Sequence, residues 1–91
     1  MEKLDKLIEQ VIRLIEEEYD KFILDDSEEN EDYKEFLEML LKSVNEEESA
    51  LGLWASIFII SSITFVKVPK IRDQIEELEE KIVAMATESG L

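Results

Sequence analysis

The chain has 91 residues, enough for one domain, and a chain this short buries only a little over ~60% of its extended-form surface on folding. Acidic side chains number 24 and basic ones 10, for a formal charge of -14, with 45% apolar residues, 2 Gly and 1 Pro, which excludes a collagen-like, linker-like or fully disordered chain. Cys and His are both absent, so disulfides, the usual zinc ligand sets, thiolate nucleophiles and imidazole bases are excluded, and no cofactor or metal is expected.

Between Leu4 and Leu24 the apolar residues Leu4, Ile8, Val11, Ile15 and Phe22 recur at spacings of three, four and seven, widened by Leu7, Ile12, Leu14, Tyr19 and Ile23. That period predicts an amphipathic helix. Glu2 and Lys6, Glu9 and Arg13, and Glu17 and Lys21 form acid-before-base pairs at i,i+4, each worth ~0.2 to 0.5 kcal/mol. The run Asp25-Asp26-Ser27-Glu28-Glu29-Asn30 breaks the period with residues that favour caps and turns, and predicts a loop.

Tyr33, Leu37, Leu40 and Val44, flanked by Phe36 and Leu41, predict a second, shorter helix, with Glu38 and Lys42 as its surface pair and Asn45 near its end. Residues 1–48 thus read as an acidic antiparallel helical hairpin. Residues 25–48 alone carry eleven acids against Lys34 and Lys42. A calcium loop begun at Asp25 would put Asn30 at the glycine position and Phe36 at the bidentate glutamate position, so the EF-hand pattern fails twice.

Residues 49–66 contain no charged side chain. The stretch from Ala50 to Val66 is apolar on every face of a helix drawn through it, so its period says nothing about direction. Three readings compete. Its length, with Glu46-Glu47-Glu48 before it and Lys67, Lys70 and Arg72 after it, suits a membrane-spanning helix with the C-terminal side cytoplasmic, although Gly52, Ser56, Ser61, Ser62 and Thr64 make insertion borderline. As a soluble helix it would form the core of an oligomer, because one small chain offers too few residues to surround it. Residues 56–68 are also rich in β-branched side chains that suit a strand.

Pro69 closes that segment and fits the first turn of a new helix. Across residues 67–91, Ile71, Ile75, Leu78, Ile82 and Met85 repeat at four, three, four and three, a coiled-coil-like seam expected to meet a partner or another copy of the chain, or else to close the bundle internally. Gly90 stands where a helix stop belongs.

The class expected is therefore all-α: a hairpin over 1–48, an apolar helix over 49–66 that is a membrane span or an oligomer core, and an amphipathic helix over 67–91. The negative balance opposes direct nucleic-acid binding, and Lys67, Lys70 and Arg72 lack the aromatic interleaving of a single-strand binder. No carboxylate spacing singles out a general acid and base and no glycine-rich phosphate loop is present, so an enzyme is not expected. No secretory signal peptide is expected from a start of Met1-Glu2-Lys3-Leu4-Asp5; the location is cytoplasmic if the chain is soluble and membrane-bound otherwise. The expected function is non-enzymatic: a helical assembly or adaptor protein that associates through its apolar segment with a membrane or with copies of itself. The alternative is an acidic inhibitor whose carboxylates imitate nucleic acid and block a basic nucleic-acid-binding partner.

Overall fold

Local chemistry sets where each helix begins and ends. In the computed structural model, which describes residues 2–24 and 27–90, the elements are α1 (Glu2–Phe22), α2 (Glu28–Asn45), α3 (Ala50–Lys67), a 3-10 turn (Pro69–Ile71) and α4 (Arg72–Ser89). The class is all-α, and among the described residues there is no strand.

The first helix buries Leu4, Leu7, Val11 and Ile15, one stripe at spacings of three and four. The second begins earlier than the sequence predicts, inside the acidic run. Ser27, in extended geometry, is its N-cap: the Ser27 hydroxyl accepts from the Asn30 backbone N–H at 3.4 Å, and the Ser27 carbonyl accepts from Glu31 at 3.0 Å. Residues expected to loop thus enter a first turn, where carboxylates complement the positive end of the helix dipole. Asp25 and Asp26, the rest of the predicted loop, lie outside the described residues.

Ser49 caps α3 in the same way, its hydroxyl accepting from Gly52 N–H at 3.0 Å. From there the chain stays helical through Lys67, which corrects the strand reading of residues 56–68. A lone strand would leave its backbone groups without a ladder, whereas a helix satisfies them within the segment and overrides the β preference of isoleucine and valine. The helix stops at Val68, held out of helical geometry by Pro69; its N–H donates to the Thr64 carbonyl at 2.8 Å. Gly90 ends α4 in the left-handed region at φ 79, a conformation that strains any residue with a side chain.

The first two helices run in opposite directions along each other. Phe22 meets the Tyr33 ring edge-on at 5.4 Å, the Tyr19 hydroxyl donates to Glu38 at 2.9 Å, and Ile12 and Glu16 lie beside Leu41 and Asn45, so numbers fall along α1 as they rise along α2. Helix α3 packs on α2 and α4, and α4 returns to α1. The four helices thus surround one core, to which α1 gives Leu7, Val11 and Ile15, α2 gives Phe36, Leu37 and Leu40, α3 gives Leu53 and Ile57, and α4 gives Ile75, Leu78 and Ile82.

Surface ion pairs form within one turn of a helix, though not always between the expected residues. Lys21 meets Glu18 at 3.4 Å, one position away from the expected Glu17, and Arg72 meets Glu76 at 3.0 Å. Glu38, the expected partner of Lys42, accepts the Tyr19 hydroxyl instead, because the neighbouring helix holds that donor in place.

Ser61 is a buried polar position without compensation among the described residues. It is 1% exposed, and among the described residues its hydroxyl has no hydrogen-bond partner. We expect Ser61→Ala to stabilise the fold by about 1 kcal/mol, since it removes an unsatisfied hydroxyl and adds helix propensity. The corresponding rise in Tm is about 4 to 8 °C for a chain of this size. A melt that moves down instead would show that the hydroxyl is satisfied in solution.

Candidate interaction face

Helix α3 has two apolar faces, and only one is covered. Leu53, Ile57, Ser61 and Thr64, spaced at four, four and three, are buried against the rest of the chain. On the opposite side Leu51, Ala55, Phe58, Ile59, Ser62 and Val66 form an exposed stripe, flanked by Ile63. The ends of the stripe are the most open, with Leu51 at 81% and Val66 at 82%. Other exposed large apolar residues, Ile23, Leu24, Met39 and Val83, lie on other parts of the chain. A contiguous apolar stripe of this kind marks an interaction surface more often than isolated exposed residues do. Among the described residues no helix is long and apolar enough to cross a membrane.

Chemistry at the two ends of this face is opposite in sign. At the start, the Glu47 carboxylate folds over the first turn of α3 and accepts the Ser56 hydroxyl at 2.5 Å. Gly52 permits this, since a Cβ there would collide with a Glu47 carboxylate oxygen. Glu46 and Glu48 are exposed beside it. At the far end Lys67 and Lys70 are exposed, while the Arg72 guanidinium sits 5.3 Å from the Phe65 ring centre and binds Glu76. Trp54, half-buried, lies with its ring centre 6.5 Å from that of Phe58, the two rings tilted by 36°. The face is thus acidic at one end, basic at the other and uncharged between.

The residues expected to meet a partner lie elsewhere. Ile71, Ile75, Leu78 and Ile82 are buried in the core of the single chain, and half-buried Met85 lines a groove with Leu14 between α4 and α1. Four of the five are therefore brought together with one another and with α1 and α2, and would have to leave the core to touch a second chain. The α3 stripe escapes sequence reasoning because an all-apolar helix has no period; the one available signal is the length of uncharged chain.

A shallow acidic groove runs between α1 and α2, with Ile15, Leu37 and Leu41 as floor and Glu16, Asp20 and Glu38 as rim. Tyr19 crosses it, and its hydrogen bond to Glu38, helped by desolvation, raises the phenol pKa above its ordinary value. Deeper in the bundle, burial raises that of Tyr33 well above the phenol range, reinforced by the charge of Glu18 and a hydrogen bond to it. Both tyrosines therefore stay neutral and act as hydrogen-bond donors and packing groups. Among the described residues no group of three or more acidic side chains is placed to hold a metal ion.

Compared with protein-family models, curated proteins and solved structures, the chain matches none.

Proposed function

We propose that the protein is a non-enzymatic helical assembly protein that binds a second copy of itself through the exposed face of α3. The observation that carries this reading is the uncovered stripe from Leu51 to Val66, uncharged along its length on a chain of net charge -14. Burying such a stripe is favourable at about 25 cal/mol per Å² of apolar surface. A second copy can supply the covering surface without placing like charges against each other along the stripe, since its own α3 is equally free of charge. In this reading the chain divides by role: residues 1–48 are the acidic hairpin that faces outward, residues 49–66 the core of the assembly, and residues 67–91 the support that holds α3 in place through Ile71, Ile75, Leu78 and Ile82.

The acidic groove between α1 and α2 gives a runner-up reading, capture of a basic nucleic-acid-binding partner, its foothold. It ranks second because carboxylates on exposed helices are well served by water alone, whereas an exposed apolar stripe is not.

Mass in solution, measured by sedimentation in detergent-free buffer over a range of concentrations, tests the leading reading. The expected result is twice the chain mass of 10.6 kDa, falling to the single mass on dilution. A chain that stays single at every concentration would overturn self-association. So would a chain that is single in buffer but floats with neutral phosphatidylcholine vesicles, because the occupant of the face would then be lipid.

A further inference from the structure

We infer that the two copies lie antiparallel along α3, about a two-fold axis that passes between Phe58 and Ile59. This rests on the self-association reading above and adds the geometry and the stopping point. The exposed stripe is a palindrome in size. Read forward from one end it runs Leu51, Ala55, Phe58; read backward from the other it runs Val66, Ser62, Ile59. Both directions give a large aliphatic residue, a small one, then a large one, and each matched pair is equally distant from the midpoint. An axis at that midpoint sets Leu51 against the second copy's Val66, Ala55 against its Ser62 and Phe58 against its Ile59. The small pair lets the helices approach while the large pairs fill the space on either side.

Charge selects the same arrangement. Antiparallel packing brings the acidic start of one α3, Glu46 to Glu48, to the basic end of the other, Lys67 and Lys70. Parallel packing would instead set three glutamates against three glutamates and two lysines against two lysines, an arrangement that like-charge repulsion disfavours. The helix dipoles favour the antiparallel form as well. An interface of this isologous kind uses the same patch on both copies and closes on itself, so assembly through this face stops at two.

The chain has no cysteine, so introduced thiols report on geometry without interference. Leu51→Cys and Val66→Cys are made as separate chains, each at a highly exposed position, then mixed in equal amounts, oxidised and resolved without reductant. In the antiparallel register a position-51 thiol lies beside a position-66 thiol of the other copy. Two position-51 thiols are separated by about 22 Å along the helix, taking 1.5 Å per residue. A disulfide tolerates no more than ~7 Å between Cα atoms. The expected product is therefore a covalent dimer containing one chain of each kind, formed on mixing and almost absent from either variant alone. Linkage within each variant alone would show a parallel pair and overturn the geometry while leaving self-association standing. A dimeric mass with no cross-link in either experiment would place the contact away from α3 and overturn it too. A single-chain mass before oxidation would mean that the self-association reading itself has failed.

Discussion

Leu78→Asp is expected to abolish the fold at neutral pH, because it puts a carboxylate where a leucine fills the centre of the bundle. Leu78 is 2% exposed, in a core that also takes Ile75, Ile82, Val11 and Leu37. Truncating a buried leucine costs about 2 to 5 kcal/mol from lost burial and the cavity left behind. The aspartate then brings either an unpaired buried charge or the cost of protonating it, each several kcal/mol more on the order-of-magnitude scale of buried polar groups. Against this, a domain of this size has a total stability of roughly 5 to 10 kcal/mol. The variant should lose its far-UV helical signal and sediment as an expanded chain. The defect should lessen as pH falls, because burial raises the carboxyl pKa and the neutral form is less costly to bury. Leu78→Met, which nearly conserves volume, should cost under about 1.5 kcal/mol and keep the fold. If Leu78→Asp kept its helicity and lost only its partner, the seam on α4 would lie between chains and not inside one.

That alternative is real because the sequence is ambiguous at this point. The four, three, four, three spacing of Ile71, Ile75, Leu78, Ile82 and Met85 shows that one stripe of α4 is apolar, which any covered helix requires. It carries no information on whether the cover comes from the same chain. Packing decides that, through the return of α4 onto α1. For α1 and α2 the polar side of each helix makes the buried side legible, and Leu7, Val11, Ile15, Leu37 and Leu40 lie in the core where their periods put them. For α3 no polar side exists. Leu51 and Leu53 are chemically identical and two residues apart, yet one is exposed and the other buried, because the first points away from α2 and α4. The same limit applies to charge. Spacing along one helix pairs Glu38 with Lys42, but Tyr19, from the neighbouring helix, takes it. Contacts within one turn can be read from order in the chain; contacts between helices depend on rotation about each axis, which a run of apolar residues leaves undetermined.

Phe58→Asp should do the reverse of Leu78→Asp: dissociate the assembly and leave each chain folded. Phe58 is 55% exposed, so the core loses little when it is replaced, and its ring contact with Trp54 lies at the edge of the bundle. At the proposed interface the same residue sits next to the two-fold axis. One substitution therefore enters twice, and the two new carboxylates come close together on a face with no basic group between Ser49 and Val66 to offset them. Removing a central aromatic anchor alone commonly costs about 2 kcal/mol or more, and the paired charges add to that, so the Kd should rise by roughly a hundred-fold or more. Sedimentation should report the single chain where the unmodified protein is dimeric, with an unchanged helical circular-dichroism spectrum. Added salt should recover part of the affinity lost to repulsion, because the two carboxylates near the axis are screened as the Debye length shortens below ~8 Å. Phe58→Leu, which keeps an apolar side chain, should leave the dimer in place with a modestly larger Kd. A dimer that survives Phe58→Asp would move the interface off this face. A chain that unfolds with it would make Phe58 part of the core, and the exposed stripe would then have to be tested at Leu51 and Val66, which the chain's own packing leaves almost wholly open.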